Sequence, residues 1–426
     1  MSVLQPRLLE ADLPRSLKAR RAGTFADNMK LPVHRWFRYS AGFSAEWAAS
    51  EIRKRGRPNV FDPFAGSGTT LLAAQEMGTN ALGQEAQPFV ARIAQAKLAW
   101  RADPQEVREL ADHIICSARA RTPNRQFPDL LLSCYDGDSL ARLESMRTAL
   151  LDLQDDTPAW QLCWLAYVGI LRATSHAGTA QWQYVLPSRR KAAPQEPFGA
   201  FELKVEQLLE DLDVMASHLR APSATLFHED AREGGHVPED WAELVITSPP
   251  YANNYDYADA TRLEMTMLGE LEGWGELQSK VRTHLVRSCT QHVSPYASEA
   301  YGLLSTPELR AIADELAPVL HTLDAERFRH GGKKVYHAMV AYYFYDLARV
   351  WRQLRRAARD GAQVCFVVGD SAPYGIHVPV ERWLGELALD AGFKAYSFEK
   401  VRDRNTKWKN RKHEVPLHEG RLWVNG

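Results

Sequence analysis

The residues best suited to chemistry stand where an apolar run ends, at Ser248, Pro249, Pro250 and Tyr251. The apolar run favours a buried strand, which neither proline can continue as a central strand. The strand should therefore stop near Ser248 and present these residues at the carboxyl edge of a sheet, where open α/β sheets bind ligands. A hydroxyl, rigidly aimed carbonyls and an aromatic face could hold a planar ring that carries an amino group. The alternative is an ordinary proline turn, with Tyr251 as a packing residue.

A second stretch, residues 59–70, combines a predicted strand, a glycine loop and the start of a helix. Gly66 and Gly68 would let a ligand approach the backbone, and the amino end of the helix supplies free N–H groups. Asp62 places a carboxylate at the tip of the strand. A Gly-x-Gly pattern alone indicates little. The complete run from Asp62 to Thr70, DPFAGSGTT, is strong evidence for a ligand-binding loop.

Together, this run and residues 247–251 (TSPPY) resemble motifs I and IV of the S-adenosylmethionine-dependent amino-methyltransferases that act on DNA. The form with serine is most frequent in cytosine-N4 enzymes, whereas adenine-N6 enzymes more often carry Asp or Asn at that position. The resemblance covers most of the chain from about His34 to about Val424, apart from two unmatched stretches. It implies an α/β fold, a Rossmann-like class I methyltransferase sheet with helices on both faces and a helical insertion.

The resemblance also implies a set of cofactor-binding residues. An aromatic segment before the first strand corresponds to motif X, which closes over the methionine end of the cofactor, and Phe43 and Ser44 are its candidates. Glu85 ends the second predicted strand, where nucleotide-binding folds place an acid for the ribose hydroxyls. Asp230 is the motif III candidate for the adenine amino group; for both acids, a solvated strand end is the alternative. The predicted cofactor residues are Phe43, Ser44, Asp62, Phe64, Gly66, Gly68, Thr69, Thr70, Glu85 and Asp230.

Composition sets limits on the class of protein. The hydrophobic share of 45% and the charged share of 25% are typical of a globular enzyme, and the net charge of −1 requires any DNA-binding surface to be local. The five cysteines are odd in number and form no CxxC pair, so we predict no metal site and no disulfide framework. No apolar run approaches the length of a membrane span and no signal-peptide core is visible, so a cytoplasmic protein is expected.

The motifs divide the chain into three parts. Residues 32–102, 223–269 and 336–426 form the predicted catalytic core. Residues 103–222 are a predicted helical insertion and a candidate DNA-recognition region, and residues 270–335 are a variable segment with candidate DNA contacts. In the core, Tyr255 or Tyr257 could wall a base pocket or serve only in packing.

Two basic stretches are candidates for contact with DNA phosphates. The first follows a run of aromatic residues, and the second is the densest positive stretch of the chain. A solvated basic loop is the alternative for each. The predicted DNA-binding residues are Arg189, Arg190, Lys191, Lys407, Lys409, Arg411 and Lys412.

The resemblance implies methyl transfer to an exocyclic amino group, most often cytosine N4, in double-stranded DNA. Ser248 and the Pro249 carbonyl would accept hydrogen bonds from the amine, Pro250 would stiffen the turn and Tyr251 would stack on the base. A separate restriction endonuclease is a candidate partner, and the sequence does not predict an oligomeric state. An adenine-N6 enzyme, an RNA amino-methyltransferase and a non-catalytic DNA-binding protein are the alternatives.

Overall fold

Seven strands form one mixed sheet in the computed structural model of the chain, in the order β5-β2-β1-β6-β7-β9-β8. The structure describes residues 26–40, 42–123, 125–180, 184–191, 193–216, 222–252, 255–404 and 415–426. The strands are β1 (Val60–Asp62), β2 (Ala81–Gln84), β3 (Ala177–Thr179), β4 (Val185–Arg190), β5 (Ala224–Phe227), β6 (Ala242–Thr247), β7 (Ala358–Gly369), β8 (Ala395–Arg404) and β9 (Leu417–Asn425). Strands β3 and β4 pair separately as an antiparallel hairpin.

The α-helices surround the sheet and fill the long connection between β2 and β5. They are α1 (Ala45–Lys54), α2 (Thr69–Glu76), α3 (Pro88–Leu98), α4 (Pro104–Arg119), α5 (Asp129–Cys134), α6 (Gly137–Asp152), α7 (Pro158–Thr174), α8 (Pro197–Met215), α9 (Arg262–Leu268), α10 (Glu276–Lys280), α11 (Thr290–Val293), α12 (Ala313–Arg327), α13 (Tyr336–Ala357) and α14 (Val380–Asp390). Short 3₁₀ helices span Ala26–Lys30, His34–Trp36, Asp259–Thr261, Arg282–His284, Ser294–Ser305, Phe328–His330 and Pro373–Gly375. None of the helices in the described ranges is long and apolar enough to cross a membrane.

Side chains along the central strands alternate between the two faces of the sheet, so the strands contribute to a separate apolar core on each face. Val60, Leu244 and Ile246 pack on one face, in a cluster that includes residues of α1 and α2. Phe61 and Val245 point to the other face and pack in a cluster that includes α13 and α14. Successive side chains of a strand point to opposite faces, so these short apolar strands bury both sides. The predicted α/β sheet with helices on both faces is confirmed.

The order of the strands reverses between β1 and β6, which run parallel to each other. Crossover connections leave this point in opposite directions, and a crevice opens at the carboxyl ends of the two strands. The glycine loop follows β1 and the Ser-Pro-Pro-Tyr tip follows β6, so both predicted motifs meet at the crevice. Strand β9 lies between β7 and β8 and is antiparallel to both, so β8 is the edge strand on that side.

The insertion between β2 and β5 is helical, as predicted, but it also contains the β3–β4 hairpin. Helices α4, α6, α7 and α8 share one apolar cluster, to which residues of α9 and α10 also contribute. For these residues the sequence predicted no strands; it favoured equally an aromatic and basic run in contact with DNA and a solvated basic loop after a core segment. The pairing of Thr179 with Val185 was missed because β3 is only three residues long, which is too short to show alternation.

Candidate functional site

An open cavity with an empty volume of about 790 Å³ occupies the crevice at the carboxyl ends of β1, β2 and β6. Nine residues predicted from the sequence line it: Phe43, Asp62, Phe64, Gly66, Thr69, Glu85, Asp230, Ser248 and Pro250. The structure therefore brings together residues of both motifs and the two acidic residues that were predicted at strand tips, Glu85 and Asp230.

Glu85 connects the glycine loop to the start of α3. Its Oε2 accepts a hydrogen bond of 2.9 Å from the Gly66 amide, and its Oε1 accepts one of 2.8 Å from the Gln87 amide. Burial raises the pKa of Glu85 to about 7, although these amide hydrogen bonds act in the opposite direction. The side chain is therefore held rigidly at the cavity wall, with lone pairs left for two further donors.

Asp62 links the glycine loop to the strand that carries the second motif. Its Oδ1 accepts hydrogen bonds from the Phe64 amide at 3.0 Å and from the Thr247 hydroxyl at 2.6 Å. Burial raises the pKa of Asp62 to about 6, against the effect of these hydrogen bonds. Thr247 stands at the end of β6, next to Ser248, so the position of one motif is coupled to that of the other.

Ser248 faces the cavity with its hydroxyl already oriented. The hydroxyl donates to the backbone oxygen of Val367 in β7 at 3.2 Å, so its oxygen presents lone pairs to any further partner. Pro250 lines the same cavity. Pro249 and Tyr251 do not belong to this lining, and the guanidinium of Arg404 lies 5.2 Å from the centre of the Tyr251 ring.

Three other predicted residues have clear local roles. Ser44 is the N-cap of α1, where its hydroxyl accepts from the Trp47 amide at 3.3 Å, as its residue type predicts. Gly68 is the N-cap of α2, with a φ of 85° that suits glycine. Thr70 is buried and donates to the backbone oxygen of Ile246 at 3.2 Å, which fastens α2 to β6. These contacts set the position of the loop rather than forming the cavity wall.

Asp230 reaches the cavity but is paired with Arg232. The Arg232 Nε lies 2.9 Å from each carboxylate oxygen, and the Arg232 amide donates to Oδ1 at 2.9 Å. The same guanidinium donates to Asp346 at 3.2 Å and to the backbone oxygen of Thr283 at 3.1 Å. The carboxylate therefore belongs to an ion-pair network that continues beyond the cavity.

This network holds a segment that the sequence analysis did not assign to the cavity, residues 284–286. His284, Leu285 and Val286 line it, and Arg287 fastens them through its amide and Nε, which bond to Asp346 Oδ2 at 3.0 and 2.9 Å. Asp346 is fully buried on α13. The sequence offered only a basic residue in a variable segment, and the carboxylate that pairs with it lies 59 residues further along the chain.

Aromatic residues complete the cavity. Tyr257 is part of the lining and its ring centroid lies 4.1 Å from that of Tyr255, which is buried behind it. Tyr39 also lines the cavity, and burial raises its pKa well above the ordinary range. Tyr257 therefore lies in the wall of the cavity, whereas a role for Tyr255 or Tyr257 in holding a base stays a prediction.

The predicted DNA-binding residues differ in exposure. Arg189 and Arg190 are exposed at the end of β4. The Lys191 ammonium donates instead to the backbone oxygen of Arg172 and is partly buried. Lys407, Lys409, Arg411 and Lys412 lie outside the residues that the structure describes.

Comparison with known proteins agrees with this geometry. A family model described as DNA methylase, of the N6/N4 type, matches residues 52–96, from the end of α1 through the glycine loop to α3. The type II methyltransferase M.BsoBI of Geobacillus stearothermophilus is 23% identical over an alignment of 443 residues, gaps included, that covers 90% of this chain and 83% of that protein. M.AvaI of Nostoc sp. PCC 7120 is 24% identical over 407 residues, covering 88% and 82%. No solved structure matches the chain significantly.

The strand order and the cavity at its switch point are consistent with a Rossmann-like methyltransferase fold. The family match and the relatives support the amino-methyltransferase family, whose members act on DNA. Its methyl donor is S-adenosylmethionine. The buried carboxylates and the glycine loop of the cavity fit this cofactor, which carries two ribose hydroxyls and a positive charge.

Proposed function

We propose that this protein transfers a methyl group from S-adenosylmethionine to the exocyclic N4 of cytosine in double-stranded DNA. The observation that supports the proposal best is the Ser248 hydroxyl, which faces the cavity while its own proton is donated to Val367. It can therefore accept a hydrogen bond from an amino group. The serine form of the motif favours cytosine N4 over adenine N6.

The target base must leave the duplex to reach this edge of the sheet, which costs a few kcal/mol. We assign Ser248 and the Pro249 carbonyl as acceptors for the two amino hydrogens, an arrangement that aims the nitrogen lone pair at the methyl donor. Tyr251 stacks on the base and Pro250 keeps the turn rigid. Positive charge develops on the amine during transfer, so fixed acceptors stabilise the transition state more than the ground state.

The cofactor supplies an electrophilic methyl group on a sulfonium. In our proposal, Glu85 accepts hydrogen bonds from the ribose hydroxyls and Asp62 lies near the positive charge. Phe43 packs against the methionine end, and Asp230 is assigned to the adenine end. The 284–286 segment covers the site, since His284, Leu285 and Val286 line the same cavity.

A restriction endonuclease is the partner that we propose, because the similar proteins are named type II methyltransferases. Modification of every site would then protect the host DNA. Methylation-aware sequencing of DNA from cells that express the chain tests substrate and base together. The proposal predicts N4-methylcytosine at one sequence context; N6-methyladenine at a single context would identify the alternative base, and unmodified DNA would overturn the proposal.

Cofactor affinity should depend on pH through Glu85. Its pKa of about 7 means that the ionised form, which accepts from both ribose hydroxyls, is lost as the pH falls below 7. The Kd for S-adenosylmethionine should therefore rise about tenfold between pH 8 and pH 6. Calorimetric titration across this range measures the effect.

The matched control is Glu85→Gln, which cannot ionise. Its Kd should be higher at pH 8 and nearly constant down to pH 6, where Asp62, with a pKa of about 6, begins to contribute. A parent protein whose Kd does not change over this range would show that Glu85 does not contact the ribose.

Arg189 and Arg190 should contribute to the salt dependence of DNA binding. Each phosphate contact releases counterions and adds about 0.9 to the slope of log K against log salt concentration. Replacing both arginines with glutamine should therefore reduce the slope by about 2. Fluorescence anisotropy with a labelled duplex over a salt series gives this slope.

Lys191→Gln provides the comparison, because the Lys191 ammonium bonds to the Arg172 carbonyl rather than facing solvent freely. This variant should keep the parental slope. If the double arginine variant also keeps it, the end of β4 is a solvated surface without DNA contact.

A further inference from the structure

A group of side chains of metal-binding type, one buried and two partly buried, lies at the carboxyl end of β7, outside the lining of the cofactor cavity. Asp370 follows β7, Glu381 lies in the first turn of α14, and His418 is on β9. One potential ligand atom from each lies within 4.8 Å of the others. His418 Nδ1 is 2.8 Å from Asp370 Oδ2, and His418 Nε2 is 3.4 Å from Glu381 Oε1.

A second imidazole approaches this group from the loop between β7 and α14, beside the three residues whose ligand atoms are mutually within 4.8 Å. Ser371 pairs with Val378 as an antiparallel bridge, which turns the loop back on itself. This turn places His377 Nε2 at 3.5 Å from Asp370 Oδ2. The His377 side chain is 43% exposed and so leaves an entry path for an ion.

The carboxylates of this group have unused oxygens. Asp370 Oδ1 and Glu381 Oε2 are buried and bond to no N–H group among the described residues, and Asp370 is only 1% exposed. The two carboxyl groups lie within hydrogen-bonding reach of each other, and burial together with Asp370 raises the pKa of Glu381 to about 8. The nearby Arg404 donates to the backbone oxygen of Asp370 at 2.8 Å rather than to its carboxylate. Two buried carboxyl groups this close share a proton unless a metal ion takes its place, so the pair is a candidate for a bound cation.

A second group with similar spacing, Asp256, Cys289 and His292, shows the contrast. Asp256 Oδ2 already accepts two hydrogen bonds from Arg282, at 3.0 and 2.5 Å, and Oδ1 lies 3.2 Å from His292 Nε2. Burial raises the pKa of Asp256, but the bonds from His292 and Arg282 outweigh it and lower the pKa to about 2. The guanidinium neutralises this carboxylate and leaves no place for a cation.

We propose that Asp370, Glu381, His377 and His418 bind a divalent transition-metal ion, with zinc as the ion that fits best. Two imidazoles and two carboxylates are a ligand set for tetrahedral zinc, and imidazoles disfavour magnesium and calcium. Ligand atoms in such a site are about 3.3 Å apart, given zinc–ligand bonds of about 2.0–2.1 Å. The separations of 2.8 and 3.5 Å between Asp370 Oδ2 and the two imidazoles bracket that value.

The site is structural and supplies no group to methyl transfer. Four protein ligands close the coordination shell, and the metal ties β7, α14 and β9 together beside the target site. Ser248 bonds to Val367 on β7, three residues before Asp370. Metal binding therefore stabilises the strand that orients the predicted base acceptor.

The test uses the full chain without a metal-binding tag, stripped with a chelator and then titrated calorimetrically with zinc chloride. We expect one zinc ion per chain and a higher midpoint of thermal unfolding. Asp370→Asn and His418→Gln should each weaken binding at least about 100-fold. Cys289→Ser, at the neutralised group, should bind zinc as the parent does.

His377→Gln should fold even if the variants at more buried positions do not, because the His377 side chain is partly exposed. This variant should weaken zinc binding about tenfold. Absence of stoichiometric zinc binding, or parental affinity in His377→Gln, would overturn the site. Magnesium that binds as tightly as zinc would overturn the assignment of the ion.

Discussion

Ser248→Ala should reduce the single-turnover rate of methyl transfer by about 100-fold or more while leaving the Kd for S-adenosylmethionine unchanged. The variant removes one of the two acceptors that we assign to the target amine, so the nitrogen loses orientation as it becomes positive. The measurement combines single-turnover methylation of a substrate duplex with calorimetric titration of the cofactor.

The geometry explains why the effect should appear in the rate. The Ser248 hydroxyl donates to the Val367 carbonyl at 3.2 Å, so its oxygen has a fixed direction before any substrate binds. A preorganised acceptor needs no rearrangement during the reaction, and its loss is felt mainly in the transition state. The residue makes no contact with Asp62 or Glu85, which we assign to the cofactor, in the hydrogen bonds of the described residues.

Thr247→Val is the matched control, one position earlier on the same strand. It keeps the side-chain shape but removes the hydroxyl that donates to Asp62 at 2.6 Å. Thr247→Val should weaken cofactor binding by at least about tenfold, because a hydrogen bond to a charged group contributes about 1.5–3 kcal/mol. If Ser248→Ala retains the parental rate, or loses cofactor affinity instead, the role that we give to Ser248 is wrong.

The sequence predicted the central elements well because their patterns are local. The start of α1 follows from residue type, since Ser44 is a standard N-cap residue and its hydroxyl caps the helix that begins at Ala45. The strands predicted to end at Asp62, at Glu85 and near Ser248 are β1, β2 and β6, and each ends within one residue of that position because an apolar run stops there at loop signals. Motifs that stand at the tips of parallel strands must meet at one edge, so the grouping of Asp62, Glu85 and Ser248 could also be predicted.

The sequence could not predict contacts between distant segments. The 284–286 segment has no motif of its own, and it reaches the cavity because Arg287 pairs with Asp346 on a helix that starts some fifty residues later. Nor does spacing in the chain relate Asp370 to His418, which only the antiparallel insertion of β9 beside β7 brings together. Such contacts depend on the topology of the whole sheet rather than on local pattern.

The glycine loop shows the same limit at the scale of single residues. The sequence assigned the same role to Gly66 and Gly68, the close approach of a ligand to the backbone. In the structure, Gly66 lines the cavity and its amide donates to Glu85, whereas Gly68 caps α2 and does not belong to the lining. The two glycines have φ values of 53° and 85°, so both need the left-handed region, but for different reasons.

Gly66→Val should therefore reduce affinity for S-adenosylmethionine by about fivefold to 150-fold, because crowding a packed site costs about 1–3 kcal/mol. A Cβ at Gly66 would lie 3.2 Å from Tyr39 Cε1, on the wall of the cavity that the cofactor must fill. Calorimetric titration gives the affinity, and thermal unfolding reports the separate cost to the fold.

Gly68→Ala separates backbone strain from a blocked site. Its Cβ would meet Ala94 Cβ at 3.5 Å, which is an ordinary contact. The left-handed backbone conformation costs alanine about 1–2 kcal/mol, which should lower the unfolding midpoint. The affinity for the cofactor should change only a few-fold. Equal losses of affinity in the two variants would mean that loop strain alone governs binding. Parental affinity in Gly66→Val would show that the cofactor does not approach this amide.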